Sequence, residues 1–135
     1  MIPVLVSACL LGLSTRYDGT SKEAEIIKTL AQRYILVPFC PEQLGGLSTP
    51  RPPADLYGGD GLAVLEGKAK VITKDGLDVT QAFIKGAYES LKIAKILKIN
   101  QVFCKARSPS CGLTPVMGVT TALFHLEGLK IEEID

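Results

Sequence analysis

Three short apolar runs constrain the fold of this chain more than any other feature of its sequence. They cover residues 3–8 (PVLVSA), 34–39 (YILVPF) and 102–106 (VFCKA). Because these runs favour β-branched and aromatic residues and do not alternate with polar ones, they are typical of strands buried on both faces. Strands of that kind lie in parallel sheets covered by helices, so the runs predict an α/β fold.

Segments with helical periodicity separate these runs. A capping box at residues 20–23 (TSKE) predicts the start of the first helix, since its hydroxyl and carboxylate can each bind a free amide. The longest helix is predicted over residues 78–100, where apolar residues recur at helical spacing. A third helix is predicted over 114–128, because Pro115 suits the first helical position, and a last strand over 129–134.

The stretch between the second strand and the longest helix is predicted to be an insert. Residues 41–61 are rich in Pro and Gly and indicate a loop, whereas residues 62–73 predict two short strands that turn near Gly67. The order of elements predicts a single α/β domain over residues 1–135. Its expected architecture is a Rossmann-like three-layer sandwich with a mainly parallel sheet and a small β-hairpin insert.

Charge and composition narrow the classes of partner. The formal net charge is +1, no long basic block occurs and Trp is absent, so neither a nucleic-acid backbone nor a base-stacking platform is expected. No run reaches the ~18 apolar residues that a membrane span requires. The start, MIPVLVSACLLG, is interpreted as a strand and not as a signal peptide, because no basic residue precedes its apolar part.

We therefore expect a cytoplasmic protein whose cysteines stay reduced. Three of the four, Cys9, Cys40 and Cys111, follow the first, second and third apolar runs. Ligands of open parallel sheets bind beyond the carboxyl ends of the strands. If the first strand lies between the other two, the three thiols share one crevice, although they could also be unrelated small residues near strand ends. Cys104 lies inside the third strand, where a core role is favoured over a ligand role.

Three thiolates in one crevice would favour zinc, Cu(I) or an iron–sulfur cluster. The one histidine, His125, is expected near the end of the last helix, so a fourth protein ligand is missing and a coordination position would remain for substrate. A Cys–His nucleophile pair is disfavoured for the same reason. The spacing from Cys9 to Arg16 is one residue too long for a cysteine phosphatase loop, and no dinucleotide fingerprint follows a strand. Arg51 could be a substrate clamp or form a salt bridge within its loop.

Taken together, the motifs resemble those of the thiouracil desulfurase family. They are VSACLLG, RYDG, CPE, GGL, PR-x-P, DVT and KARSPSCG, and they occur in this order from residue 6 to about residue 112. The resemblance implies an oxygen-sensitive 4Fe–4S cluster held by Cys9, Cys40 and Cys111, easily lost from protein prepared in air. It further implies that the fourth iron binds the sulfur of a thiolated pyrimidine and weakens the C–S bond as a Lewis acid, without net redox.

The resemblance also suggests roles for other residues. Glu42 would activate water or shuttle a proton, and Ser108 or Ser110 would bind substrate or relay that proton. Contacts to the substrate are predicted for the charged residues Arg16, Asp18 and Arg51.

The chain departs from the family pattern after Gly112, where a further Gly-rich segment is expected. Part of the pocket wall would then be missing or come from another subunit. Two alternatives remain besides a desulfurase. One is a non-enzymatic metal-binding or cluster-binding module that senses sulfur or redox state. The other is a nucleotide-binding α/β domain with incidental cysteines.

Overall fold

The computed structural model describes residues 1–20 and 22–135. A 3-10 helix, Ala8–Leu11, directly follows the first strand. The strands are β1 (Pro3–Ser7), β2 (Ile35–Phe39), β3 (Ala54–Tyr57), β4 (Lys70–Thr73), β5 (Gln101–Lys105) and β6 (Lys130–Ile134). The α-helices are α1 (Ile27–Arg33), α2 (Pro41–Leu44), α3 (Gly61–Leu65), α4 (Thr80–Ile96) and α5 (Val119–Leu126).

The main sheet has the strand order β2-β1-β5-β6, and its neighbouring strands pair in parallel. In register, Leu5 of β1 lies beside Val37 of β2 and beside Val102 of β5. The first apolar run is therefore the strand between the second and the third, the order that brings the three following thiols to one edge of the sheet. The predicted α/β fold with a mainly parallel sheet is confirmed.

Both faces of the sheet are covered, which explains the continuous apolar runs. Leu5 packs on one face into the larger core, which includes buried side chains of α4 and α5 such as Phe83 and Phe124. Val4 and Val6 pack on the other face against α1. The side chains of Val4, Leu5 and Val6 are all fully buried. None of the helices in residues 1–20 and 22–135 has the length and apolar character needed to cross a bilayer.

The insert contains the expected antiparallel pair, but its strands differ from the predicted ones. Strand β4 pairs with β3, which lies in the stretch predicted to be a loop. The residues predicted as the first strand form helix α3 instead. Asp60 caps this helix, because its Oδ1 accepts a hydrogen bond from the amide of Ala63 at 3.0 Å. This cap favours the helix, although so short an apolar run alone is more typical of a strand.

Two predicted helix starts are wrong. The capping box at residues 20–23 does not begin α1, which starts at Ile27, and Ser21 of that box lies outside the described residues. The amide of Ala24 instead donates to the carbonyl of Leu10 at 2.8 Å, which ties this segment to the 3-10 helix. Helix α5 starts at Val119 and not at residue 114. The amide of Thr114 donates to Glu133 at 3.1 Å, so residue 114 belongs to a loop held against β6.

Candidate active site

The three loops that follow β2, β1 and β5 meet at one cavity of about 270 Å³. Cys9 lies in the 3-10 helix after β1, Cys40 lies between β2 and α2, and Cys111 lies in the loop after β5. All three thiols line this cavity, and none of them forms a disulfide. The fold thus brings together three thiols that are far apart in sequence, side chains of the type that soft metals prefer.

The protein surroundings disfavour the thiolate forms of Cys9 and Cys40. Burial raises the pKa of Cys9 to about 11, and negative charge on Cys111 and Cys40 adds to the shift, while Lys105 and Arg16 oppose it. Burial also raises the pKa of Cys40. Because neighbouring thiolates repel one another, a bound cation is needed to hold them deprotonated together. The donor set therefore suits a positively charged metal centre.

Cys111 has a buried hydrogen-bond donor that sequence reasoning missed. The hydroxyl of Ser7 lies 3.3 Å from the Sγ of Cys111. The amide of Lys105 donates to the same hydroxyl oxygen at 3.0 Å, so the proton of Ser7 is free to point at the sulfur. The signal in the sequence was a polar residue at the carboxyl end of an otherwise apolar strand.

The loop that carries Cys111 is held against the start of α5. The amide of Thr120 donates to the carbonyl of Ser110 at 2.8 Å, and the hydroxyl of Thr121 donates to the carbonyl of Cys111 at 2.8 Å. Gly118 approaches so closely that a Cβ there would lie 2.5 Å from the carbonyl carbon and oxygen of Ser110. These contacts fix the backbone on both sides of the Cys111 side chain.

A carboxylate and two hydroxyls continue the site beyond Cys111. The hydroxyl of Ser110 donates to the Oε2 of Glu42 at 3.0 Å, and the hydroxyls of Ser108 and Ser110 lie 3.0 Å apart. The Oγ of Ser108 lies 3.4 Å from the Sγ of Cys111. Glu42 lies in the first turn of α2, where the helix dipole favours negative charge. The result is a continuous polar chain from Glu42 to Cys111.

The three charged residues predicted to contact the substrate occupy different positions relative to the cavity. Arg16 lines the cavity and has no ion-pair partner among the carboxylates of residues 1–20 and 22–135. Arg51 also lines it, but its Nε is paired with the Oε1 of Glu42 at 3.0 Å, which is the salt bridge that the sequence left as an alternative. Asp18 does not line the cavity, and its Oδ1 accepts hydrogen bonds from Thr20. A substrate contact by Asp18 stays a prediction.

Cys104 and His125 lie apart from this chain of groups. Cys104 is fully buried in the larger core, and burial raises the pKa of its thiol to about 12. His125 lies exposed in the last turn of α5 and does not line the cavity. Both placements agree with the interpretations made from the sequence.

Comparisons with known proteins support one family. The family described as 2-thiouracil desulfurase matches residues 4–132. The uncharacterized protein YbbK of Bacillus subtilis (strain 168) is 46% identical over 140 residues, covering 95% of this chain and 93% of YbbK. The solved structure of the [4Fe-4S]-dependent thiouracil desulfidase TudS is 36% identical, with a TM-score of 0.83. That match covers 98% of this chain and 91% of TudS. The expectation that a segment is missing after Gly112 stays a prediction.

Proposed function

Because the chain belongs to the 2-thiouracil desulfurase family, we propose that it removes sulfur from a thiolated pyrimidine such as 2-thiouracil. The net reaction replaces the sulfur of a C=S group by the oxygen of water and releases sulfide, with no change in oxidation state. The observation that carries the proposal is the convergence of three thiols, the Glu42 carboxylate and the hydroxyls of Ser108 and Ser110 on a single cavity. The relative TudS, whose name states a 4Fe–4S dependence, supports it.

In this proposal Cys9, Cys40 and Cys111 each give one thiolate to a 4Fe–4S cluster, which leaves one iron without a protein ligand. Among residues 1–20 and 22–135, no three His, Cys, Asp or Glu side chains lie close enough together to hold a single metal ion. The three thiols do line one cavity, and thiolates are the usual protein ligands of iron–sulfur clusters. When bound, the cluster supplies a Lewis acid for the substrate sulfur.

Side chains of the protein carry out the proton transfers of the proposed reaction. Glu42 takes a proton from the attacking water, because its Oε2 faces the hydroxyl of Ser110 and so lies at the end of the polar chain. Ser110 and Ser108 pass protons between this carboxylate and the sulfur side of the site, since their hydroxyls lie 3.0 Å apart. A serine hydroxyl can donate and accept at once, which makes such a relay possible.

The other residues that line the cavity suit the small planar ring of a pyrimidine substrate. Apolar side chains, among them Phe39 and Pro53, form part of the wall. Arg16 supplies a cation that forms no salt bridge within the described residues, and it binds a carbonyl oxygen or ring nitrogen of the substrate. We expect substrate analogues without a polar atom in the ring to bind more weakly.

The first experiment measures iron and acid-labile sulfide per chain after anaerobic reconstitution. Wild type is expected to hold about four of each, the content of a 4Fe–4S cluster. Cys111→Ala is expected to lose the cluster, whereas the matched variant Cys104→Ala keeps it because Cys104 is a core residue. Iron that is indifferent to Cys111, or no iron at all, would refute the proposed cluster.

The second experiment follows uracil and sulfide formation from 2-thiouracil by the reconstituted protein. Glu42→Gln is expected to keep its iron and to lower kcat by roughly 10²–10⁴-fold, the usual contribution of a general acid or base. A wild type that holds the cluster but shows no turnover would instead favour a cluster-binding or sensing module. Unchanged turnover in Glu42→Gln would remove Glu42 from the mechanism.

A further inference from the structure

Nearly all hydrogen-bond donors of the Arg51 side chain are used by acceptors within the protein. Its side chain is 6% exposed. Nε donates to the Oε1 of Glu42 at 3.0 Å, and Nη2 donates to the carbonyl of Thr15 at 2.9 Å. Nη1 donates to the carbonyl of Ser48 at 3.2 Å and to the hydroxyl of Thr49 at 2.8 Å. Four of the five N–H groups of the guanidinium are thus used before any ligand enters.

These bonds fix the orientation of the Glu42 carboxylate. Oε1 is held by Arg51, and Oε2 accepts the hydroxyl proton of Ser110. The Glu42 side chain is only 14% exposed, so the cation also offsets the cost of removing the carboxylate from water. The carboxylate cannot rotate without breaking a charge-assisted hydrogen bond, so Oε2 stays beside the hydroxyl of Ser110.

Arg51 also joins the loop after β1 to the loop after α2. Its backbone amide donates to the carbonyl of Tyr17 at 2.6 Å. The carbonyl of Thr15, which accepts from Nη2, lies 3.8 Å from the Sγ of Cys40. The backbone and side chain of Arg51 together link residues 15–17 with the segment that carries Cys40 and Glu42, and these segments form two walls of the cavity.

We propose that Arg51 is a positioning residue of the desulfuration reaction, which acts by holding Glu42 in place and does not bind the substrate. The inference rests on the proposed function and assigns Arg51 a role other than the substrate contact that the sequence suggested. Misplacement of a reacting group by about 1 Å can cost 10²-fold in rate. Loss of Arg51 should therefore lower kcat far more than it changes KM.

The test compares Arg51→Ala and Arg51→Lys with wild type after anaerobic reconstitution. Both are expected to hold wild-type iron, to lower kcat by about 10²-fold and to change KM less than about 3-fold. Lysine should not rescue, because one ammonium cannot reach Glu42 and Thr15 in the fork geometry of a guanidinium. Added methylguanidinium is expected to restore part of kcat in Arg51→Ala only. Lys95→Ala, which removes an exposed ion pair with Glu127, is the control and should leave kcat unchanged.

A large rise in KM at constant kcat, or full activity in Arg51→Lys, would overturn the inference. A second readout does not depend on turnover. It therefore separates a wrong positioning role for Arg51 from a wrong proposed function. A crystal structure of metal-free Arg51→Lys is expected to show the Glu42 carboxylate moved from its place 3.0 Å from the Ser110 hydroxyl. A carboxylate still in that place would refute the positioning role even if the protein proves to have another activity.

Discussion

Replacing Gly118 by alanine tests whether a steric contact holds the loop that carries Cys111. Gly118 has φ −71° and ψ 168°, a conformation that alanine adopts freely, so the backbone itself does not oppose the change. The new Cβ would lie 2.5 Å from the carbonyl carbon and oxygen of Ser110 and 2.8 Å from the carbonyl oxygen of Pro109. These are backbone atoms, so they cannot turn away as the end of a side chain could, and the loop must shift.

The size of the effect follows from two opposing contributions. Overpacking of this kind typically costs about 1–3 kcal/mol, and rigid backbone neighbours place Gly118→Ala toward the upper end. A Gly→Ala change also lowers the conformational entropy of the unfolded chain. This raises the free energy of unfolding by about 0.4–1 kcal/mol. We therefore expect a net loss of about 2 kcal/mol in the free energy of unfolding. The displaced segment carries Ser110 and Cys111, so iron loading should fall as well.

The assays are urea unfolding of the metal-free protein and iron per chain after anaerobic reconstitution. Gly67→Ala is the control, because Gly67 has φ +78° and open space around its missing Cβ. The left-handed conformation costs alanine about 1–2 kcal/mol, so this control has a similar stability loss without a clash. Wild-type iron in Gly118→Ala, or equal iron loss in both variants, would refute the claim that this contact positions Cys111.

Three further predictions concern stability of the metal-free protein in urea. Since the pKa of Cys9 is raised from 9.0 to about 11 in the folded state, the advantage of wild type over Cys9→Ser should be constant below pH 9. It should shrink as the pH rises through 9 to 11, and a pH-independent difference would contradict the buried thiol. Ser7→Ala should cost about 1–3 kcal/mol by leaving the amide of Lys105 unpaired, and an unchanged midpoint would show that this amide has another acceptor. Hydrogen bonds from Thr114 lower the pKa of Glu133 from 4.5, so the destabilisation by Glu133→Gln should be present above pH 4.5. It should disappear at lower pH, and a difference that persists in acid would refute this origin.

The parts of the fold that the sequence predicted correctly are those governed by burial. The continuous apolar runs became the strands of the parallel sheet, because both faces of that sheet are covered. The placement of Cys9, Cys40 and Cys111 at one edge followed from that topology alone. The errors lie where local hydrogen bonds compete with periodicity. The cap by Asp60 favoured a helix where a strand was predicted. The hydrogen bond from Thr114 to Glu133 keeps the residues before α5 in a loop where a helix was predicted.

The candidate site shows the same division between topology and local contacts. Strand order could place Glu42 and Cys111 at the same edge, but it could not reveal the hydrogen bond between Glu42 and Ser110. Arg51 remained ambiguous because residue type is the same for a substrate clamp and for an internal salt bridge. Ser7 was missed because its role depends on a neighbouring strand that supplies an amide donor. Such pairings become visible only in three dimensions.

The strand order β2-β1-β5 also decides when the site can come into existence. Ser7 is 104 residues from Cys111 in the chain, and Ser110 is 68 residues from Glu42. Contacts of such sequence separation form late, because the loops between them must first be closed. An unfolded chain therefore offers iron no preformed three-cysteine site, so metal binding is expected to favour the native state over the unfolded one. An order of biogenesis follows: the full three-cysteine site exists only once the sheet has formed, so slow folding would delay cluster assembly even where iron and sulfide are plentiful.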